Sequence, residues 1–440
     1  MTTEQVLERR LAVPSVSRVE GEGRLQVVVR GDEVVEAHLS IFEVPRFFER
    51  LVVGRDANEV IDIVARICGI CPVAYQLTVA NGFERLYGVE LDPDVVRLRK
   101  LLYWGEWLQS HALHIHLLHA PDFLGYPDAL AMAKDHRAVV ERGLRLKHAG
   151  VAILELLGGR SVHPVSVRVG GFSRVPTVGE LAGLRPELET ALRESQEVVD
   201  WVSGLDFPDF EREPSLLALH EPDSYAIDSG AIVSSDGFDI GADEWESVFV
   251  EEQVPWSTAL HAHTSDGRRY LLGPTARIVL NAGQLHPLAV AALTRAGGPE
   301  PIRTGMFRSI VARAIEMVQA CAASLEILDA YRRPDRPAAA WAPLAGRAAW
   351  STEAPRGLLF HRYDVDEQGH VTQARIVPPT SQNQAAIEDD LRAYLPLVLA
   401  LPDPVATARL EALIRCYDPC ISCATHFLEL DVQRLPVAVT

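Results

Sequence analysis

Two short stretches carry residue types capable of metal chemistry. They are Arg66-Ile67-Cys68-Gly69-Ile70-Cys71 and, near the other end of the chain, Asp418-Pro419-Cys420-Ile421-Ser422-Cys423-Ala424-Thr425-His426. Each holds two cysteines three positions apart, so one tight turn can aim two thiolates at a single target. If the two loops meet, four sulfurs form one site. Soft thiolate sets select zinc, iron–sulfur or another soft transition metal. A zinc ribbon keeps its cysteine pairs within about 15–20 residues, because there the metal nucleates a small fold. Here most of a 440-residue chain with 48% hydrophobic residues lies between them, and such a chain needs no metal staple to fold. Of the other two cysteines, Cys321 falls in an apolar pattern and reads as a buried thiol, while Cys416 is a further candidate ligand four residues before Cys420. Six cysteines, four of them in paired motifs, suit a reducing compartment better than a disulfide scaffold.

Arg-x-Cys-Gly-x-Cys near the N-terminus together with Asp-Pro-Cys-x-x-Cys-x-x-His near the C-terminus resembles the large, catalytic subunit of nickel–iron hydrogenases, and the likeness runs from Arg18 to His426. The resemblance implies that Cys68 and Cys420 bind nickel terminally, while Cys71 and Cys423 bridge nickel to an iron carrying CO and cyanide. The reaction implied is reversible heterolytic cleavage of H2, with a metal-held thiolate sulfur as the first base.

Other residues take roles from the same likeness. Glu20, in Arg18-Val19-Glu20-Gly21-Glu22-Gly23, would read alone as a surface carboxylate. The resemblance makes it the first proton relay beside Cys420, with Glu22 as substitute. Glu49, alone an exposed helix charge, becomes with His426 a ligand of a second, hard ion, for which Mg²⁺ and its preference for oxygen ligands fit; Glu43 is the fallback. Ala354-Pro355-Arg356-Gly357, alone a loop before a strand, would hang the Arg356 guanidinium over the metals and contact iron-bound cyanide through Pro355 and Arg356. Arginine suits that place because it stays charged when desolvated. Val377-Pro378-Pro379-Thr380 resembles the second cyanide-contacting strand end, with Pro379 standing where respiratory members use a hydroxyl. Asp418 would support Arg356 or the cysteine loop. The family matures by proteolysis after the final histidine, so residues 427–440 are expected to be a removable extension of a precursor. No cysteine remains for an iron–sulfur cluster. The resemblance therefore requires a small subunit with clusters, and the form of the motif points to the cytoplasmic, bidirectional group that reaches NAD(P) through flavin-containing diaphorase subunits. A maturation protease and a nickel chaperone are implied as transient partners.

The elements that must position these groups are mostly helical. Residues 93–119, 127–157, 177–205 and 304–331 show long apolar patterns at helical spacing, which predict a bundle within 93–331, interrupted by an irregular excursion over 205–303. Residues 24–30 and 34–42 read as a hairpin across Gly31-Asp32, and 358–365 with 370–377 as another, turned at Glu367-Gln368-Gly369. The expected class is mainly α with small antiparallel elements, as a single large-subunit domain over 1–440 whose N-terminal hairpin region is 1–50. Cys71-Pro72 opens a helix over 73–87, whose dipole is expected to lower the Cys71 pKa, while Gly69 is expected to ease the turn. A final helical pair, 384–400 and 405–415, leads to the second cysteine loop.

Four histidines, His111, His114, His116 and His119, look like a metal box but spread around too much of one helix for a single ion. They are read as packing residues, as are His261 and His263. The net charge of −18, from 60 acidic and 42 basic residues, disfavours nucleic acid and anionic membranes. No export signal and no apolar run of about 18 residues are present, so a soluble, cytoplasmic protein is expected. Two other classes compete. One is a metal-free relative such as the quinone-binding core subunit of respiratory complex I, which lacks the full cysteine set; the other is a structural zinc protein.

Overall fold

A computed structural model describes residues 8–31 and 33–425. Asp32 of the first turn, His426 and residues 427–440 lie outside the described residues. The chain enters through an antiparallel sheet of β1 (Glu8–Val13), β2 (Gly23–Arg30) and β3 (Glu33–Ile41), in that order. Leu25, Val27 and Val29 alternate inward along β2, and Leu11 and Val13 of β1 lie opposite Val27 and Leu25. The sequence shows only a hairpin here. With two inward apolar side chains, β1 is too short to display a period of its own.

Helix α1 (Phe48–Leu51) is followed by α2 (Ala57–Val64), started by a reciprocal capping box between Asp56 and Glu59. Val60, Ile61 and Val64 bury one face of α2, and its end delivers the first cysteine loop. Helix α3 (Pro72–Tyr87) starts on a proline that presets the first turn, and ends at Gly88 in the left-handed conformation. Then come α4 (Pro93–Leu113), which runs into a π-helical turn over His114–His119, followed by α5 (Arg137–Gly158) and α6 (Arg185–Ser203). The patterns read as continuous over 127–157 and 177–205 are each broken near their start. Asp128 and Thr177 cap short separate turns there, Ala129–Met132 and Val178–Ala182.

Within 205–303 the chain forms small antiparallel pairings, Leu217–His220 with Ala231–Ser234 and Phe249–Gln253 with Leu260–Thr264, and then α7 (Pro274–Leu280). Helix α8 (Ser309–Ala330) is buried over most of its circumference and packs against α4 and α6. A second sheet follows: β4 (Gly346–Ala354), β5 (Gly357–Val365) and β6 (Val371–Val377). Ala354 pairs with Gly357, so Pro355-Arg356 is the tip of a two-residue hairpin and not a loop leading into one strand. Alanine-rich β4 is buried on both faces over much of its length, which hides the alternation a strand would show.

The chain closes with α9 (Pro379–Val398), α10 (Asp403–Cys416) and the turn α11 (Ile421–Ala424). Helix α9 starts earlier than its apolar pattern does, because Pro379 suits the first helical position; Pro379 and Thr380 therefore sit in a first helical turn and not at a strand end. The architecture is a helical body with small antiparallel sheets, as expected. No helix among the described residues is long and apolar enough to cross a membrane.

Helices α4 and α5 meet at glycines. A Cβ at Gly150 would lie 2.5 Å from the Gly105 carbonyl oxygen and 2.6 Å from the Gln109 nitrogen, whereas one at Gly179 meets nothing within 4 Å. Gly150→Ala is therefore expected to lower stability by about 1–3 kcal/mol through forced separation of the helices. Gly179→Ala should leave it unchanged or raise it by up to about 1 kcal/mol. Thermal unfolding of the two variants side by side, followed by circular dichroism, checks this.

Candidate metal centre

The two cysteine loops meet. The sulfurs of Cys68, Cys71, Cys420 and Cys423 all lie within 4.8 Å of one another, and all four side chains are buried. Across the loops, Cys68 Sγ is 3.3 Å from Cys420 Sγ and Cys71 Sγ is 3.5 Å from Cys423 Sγ. This is the only group of three or more metal-ligating side chains of that compactness among the described residues. The four histidines are employed separately: His111 bonds Glu316, His114 the Arg415 carbonyl and His116 the Ala112 carbonyl, while His119 packs on Phe123. Cys416 points away from the cluster toward His119, 3.7 Å off, and Cys321 lies beside Ser195 with its thiol pushed up to about 12 by burial.

Several contacts clamp the loops together. Residue 20 forms a parallel bridge with Cys420, and the Ile421 N–H donates to the Glu20 carbonyl at 2.9 Å. The approach requires glycine at position 21, where φ is +84° and a Cβ would lie 2.6 Å from Glu43 Oε1 and 2.7 Å from Ile421 Cβ. Arg46 donates from one guanidinium nitrogen to carbonyls of both loops, at Ile67 (2.7 Å) and at Ser422. Thr380 Oγ1 accepts from the Cys420 N–H at 2.9 Å. Gly69 contributes less than expected: its φ is not positive, and a Cβ there would meet only Val162 at 3.9 Å.

Around the sulfurs, Glu20 Oε2 accepts from Cys420 Sγ at 3.1 Å and from the Ser422 N–H at 3.0 Å. Glu22 is exposed and only its N–H is engaged, donating to Glu43. Arg356 is buried over the cluster. Its Nε donates to the Asp418 carbonyl at 2.8 Å and its Nη2 to Asp418 Oδ1 at 3.1 Å, while its buried Nη1 has no hydrogen-bond partner among the described residues. Asp418 adopts a left-handed φ of 50°, tolerable for Asp, which turns its side chain back to Arg356. Glu49 accepts the Ile376 N–H at 2.6 Å, away from the four sulfurs, and Glu43 lies instead beside Gly21 and Ser422.

Crowding governs ionisation. Hydrogen bonds from Cys420, Cys423 and Cys71, helped by the Arg356 charge, hold Cys68 well below the ordinary thiol range despite its burial. Backbone N–H groups of Ile70 and Cys71 also point at its sulfur, at 3.3 and 3.4 Å. Burial raises Cys420 and Cys423. Although the Cys420 contact pulls Cys71 down, its contacts with Cys423 and Cys68 and its burial push it well up. Cys71 caps α3, but its contacts with Cys423 and Cys68 and its burial act against the lowering expected from the helix dipole, while the turn aims two backbone N–H groups at Cys68. Four thiols that resist sharing more negative charge, beside a fixed cation, are a donor set that fits soft transition ions.

Sequence reasoning missed three neighbours. Glu106 on α4 accepts the Val73 and Ala74 N–H groups at 2.6 and 3.2 Å, and so caps the helix that Cys71 opens. An acid inside the otherwise apolar Trp104-Gly105-Glu106-Trp107 run was its only signal. Tyr75 lies one turn past Cys71, its hydroxyl kept protonated by burial and by the charges of Cys423 and Cys71. Arg277 carried no local signal.

A family model described as nickel-dependent hydrogenase matches residues 46–148. The chain is 32% identical to sulfhydrogenase 1 subunit alpha of Pyrococcus furiosus, over 96% of this chain and 98% of that one. It is 28% identical to the NAD-reducing hydrogenase HoxS subunit beta of Cupriavidus necator, over 99% and 97%. Among solved structures it superposes on an NAD+-reducing [NiFe]-hydrogenase in the H2-reduced state with TM-score 0.85 and 27% identity, covering 95% of this chain and 99% of that one. A Ni-Fe-Se hydrogenase from D. vulgaris Hildenborough, at TM-score 0.78 and 22% identity over 96% of this chain and all of that one, shares the fold.

Cys68→Ser and Cys420→Ser should each lower retained nickel at least about tenfold, the loss expected when a soft ligand is removed. Cys416→Ser should leave it unchanged. Elemental analysis of the purified variants reads both. Asp390, which accepts from the Tyr417 hydroxyl at 2.7 Å just before the second loop, has its carboxyl pushed up to about 6 by burial. Its stabilising share, roughly 3 kcal/mol, is complete below about pH 4 and is lost as pH rises through about 6. Asp390→Asn should flatten that part of a stability–pH curve from denaturant titrations.

Proposed function

Because the chain belongs to the nickel-dependent hydrogenases, as a large subunit of that family, we propose that its four-sulfur pocket holds nickel through Cys68 and Cys420, with Cys71 and Cys423 bridging to an iron that carries CO and cyanide. The convergence of four buried sulfurs from two distant loops carries this reading. When bound, the metal pair supplies the electron-accepting site at which H2 is split heterolytically.

The chain's own residues then have definite tasks. Burial of the pocket excludes bulk water and strengthens every charge interaction inside it. Asp418 orients Arg356 from one side, leaving Nη1 as a donor and a fixed positive charge over the sulfurs. Glu20, 3.1 Å from Cys420 Sγ, receives a proton from that sulfur and passes it outward. Pro355, Arg356, Pro379 and Thr380 would contact the cyanide of an iron held by Cys71 and Cys423. Glu49 and His426 hold Mg²⁺; in support, the Arg46 N–H donates to the Thr425 carbonyl, which brings the chain just before His426 next to α1. Residues 427–440 are removed after the metals are loaded, by a maturation protease acting after a nickel chaperone.

Electrons leave through an iron–sulfur small subunit. Val162, exposed beside Gly69 of the first cysteine loop, and the exposed Val44 and Phe47 on either side of Pro45-Arg46 offer apolar surface to that partner. The likeness to an NAD-reducing hydrogenase supports flavin-containing diaphorase subunits, NAD(P) as the carrier and a cytoplasmic place for the complex. The higher identity to a sulfhydrogenase subunit favours, as a second reading, an acceptor of that protein's kind.

The purified complex should contain nickel and iron, show infrared bands of CO and cyanide, and reduce NAD(P)+ under H2. Zinc alone, or no metal and no such bands, would overturn the assignment. Glu20→Gln should keep the metals and the bands but lose about 10²–10⁴-fold in H2 oxidation, the usual contribution of a proton-transferring group. Unchanged turnover removes Glu20 from the proton route.

A further inference from the structure

Arg356 stands at the tip of a two-residue hairpin, and Asp418 holds its guanidinium through Nε and Nη2. Its base is held by a residue from a different part of the chain. Arg277, on α7 and fully buried, uses every guanidinium N–H. Its Nε and Nη2 donate to the two carboxylate oxygens of Glu316 at 2.7 and 2.8 Å, and Nη1 donates to Glu353 Oε2 at 3.0 Å. The two remaining donors go to the carbonyls of Ala354 (2.9 Å) and Pro355 (2.9 Å), the two residues directly before Arg356.

The same helix touches the other side of the turn. Gly273, its N-cap with φ +101°, packs so closely that a Cβ there would lie 2.8 Å from the Arg356 carbonyl oxygen. Helix α7 thus grips residues 354, 355 and 356 in succession. The grip is itself braced: Glu316 also accepts from Tyr225 (2.8 Å) and faces His111 (2.9 Å). Glu353 accepts the Leu219 N–H at 2.8 Å, and the Trp107 ring lies 4.0 Å from the Arg277 Cζ.

Burying a cation with two carboxylates is an inefficient way to gain stability, since apolar packing of equal volume commonly does as well. A planar guanidinium does offer what apolar packing lacks, five donors in a rigid fork that define the place of whatever accepts from them. We infer that Arg277 is a positioning residue for Arg356. It sets the height and direction of that guanidinium over the four sulfurs through the carbonyls of Ala354 and Pro355. The inference rests on the four-sulfur pocket being the metal site.

Two variants approach the turn from opposite sides. Arg277→Lys keeps the charge but cannot reach both carbonyls and both carboxylates, while Gly273→Ala pushes on the Arg356 carbonyl and leaves the ion network intact. In the holoenzyme complex both should retain nickel and iron, shift the infrared bands of the iron-bound diatomics and lower turnover about 10–100-fold, as small misplacements of reacting groups do. Adding Arg356→Lys to Arg277→Lys should then cost far less than the product of the single effects. In metal-free protein, hydrogen exchange over residues 354–358 should quicken at least tenfold in Arg277→Lys, with the rest of β4 and β5 still protected. Loaded Arg277→Lys with wild-type bands, wild-type exchange at the turn and effects multiplicative with Arg356→Lys would overturn the inference. If Arg277→Lys fails to fold, Gly273→Ala decides alone: unchanged bands and turnover reject it. Wild-type enzyme lacking the diatomic bands would instead sink the metal reading.

Discussion

Four sulfur atoms crowded into a water-free space cannot all be thiolates unless a cation lies among them. Most of the structure can be understood from that constraint. The sulfurs lie within 4.8 Å of one another, so each thiolate raises the cost of ionising the next, and burial adds to that cost at Cys420 and Cys423. Transition ions held by Cys68, Cys71, Cys420 and Cys423 would offset this cost, because metal coordination stabilises a thiolate directly. The site is therefore matched to multivalent cations through the repulsion it would otherwise contain.

Holding such a site requires loops from opposite chain ends to be joined firmly. Three devices do so at short range: the bridge between Glu20 and Cys420, Arg46 spanning both loops, and Thr380 on the Cys420 N–H. Behind them lies a layer of buried polar and charged groups. Glu106 caps the helix opened by Cys71, Asp418 pairs with Arg356, and Arg277 ties two carboxylates to the hairpin tip. Each such group is costly to bury by itself, and each is paired or hydrogen-bonded here. These groups are placed where rigidity bears on the sulfurs.

Legibility varied with how local the physics is. The cysteine pairs, the long helices and the hairpin over β5 and β6 could be read directly, since spacing and periodicity are local properties. Strand β1 was lost because two inward side chains make no pattern, β4 because burial on both faces erases alternation, and the start of α9 because its first turn carries proline and polar residues. Glu20 was preferred to Glu22 on the family resemblance alone; the physical distinction, one carboxylate turned toward Cys420 and the other left exposed, came with the bridge to Cys420. Arg277 could not have been picked out from Pro274-Thr275-Ala276-Arg277-Ile278, for all its partners come from distant segments.

By itself the sequence determined which atoms are available: four soft ligands in two tight turns, a carboxylate one residue before a glycine that allows close approach, and an arginine between proline and glycine. These are matters of side-chain chemistry and short-range sterics. Only tertiary structure decided that the turns share one pocket and that Arg356 is steadied by a helix from the middle of the chain. Those outcomes depend on distance and desolvation between groups hundreds of residues apart, and such quantities exist only once the chain has folded.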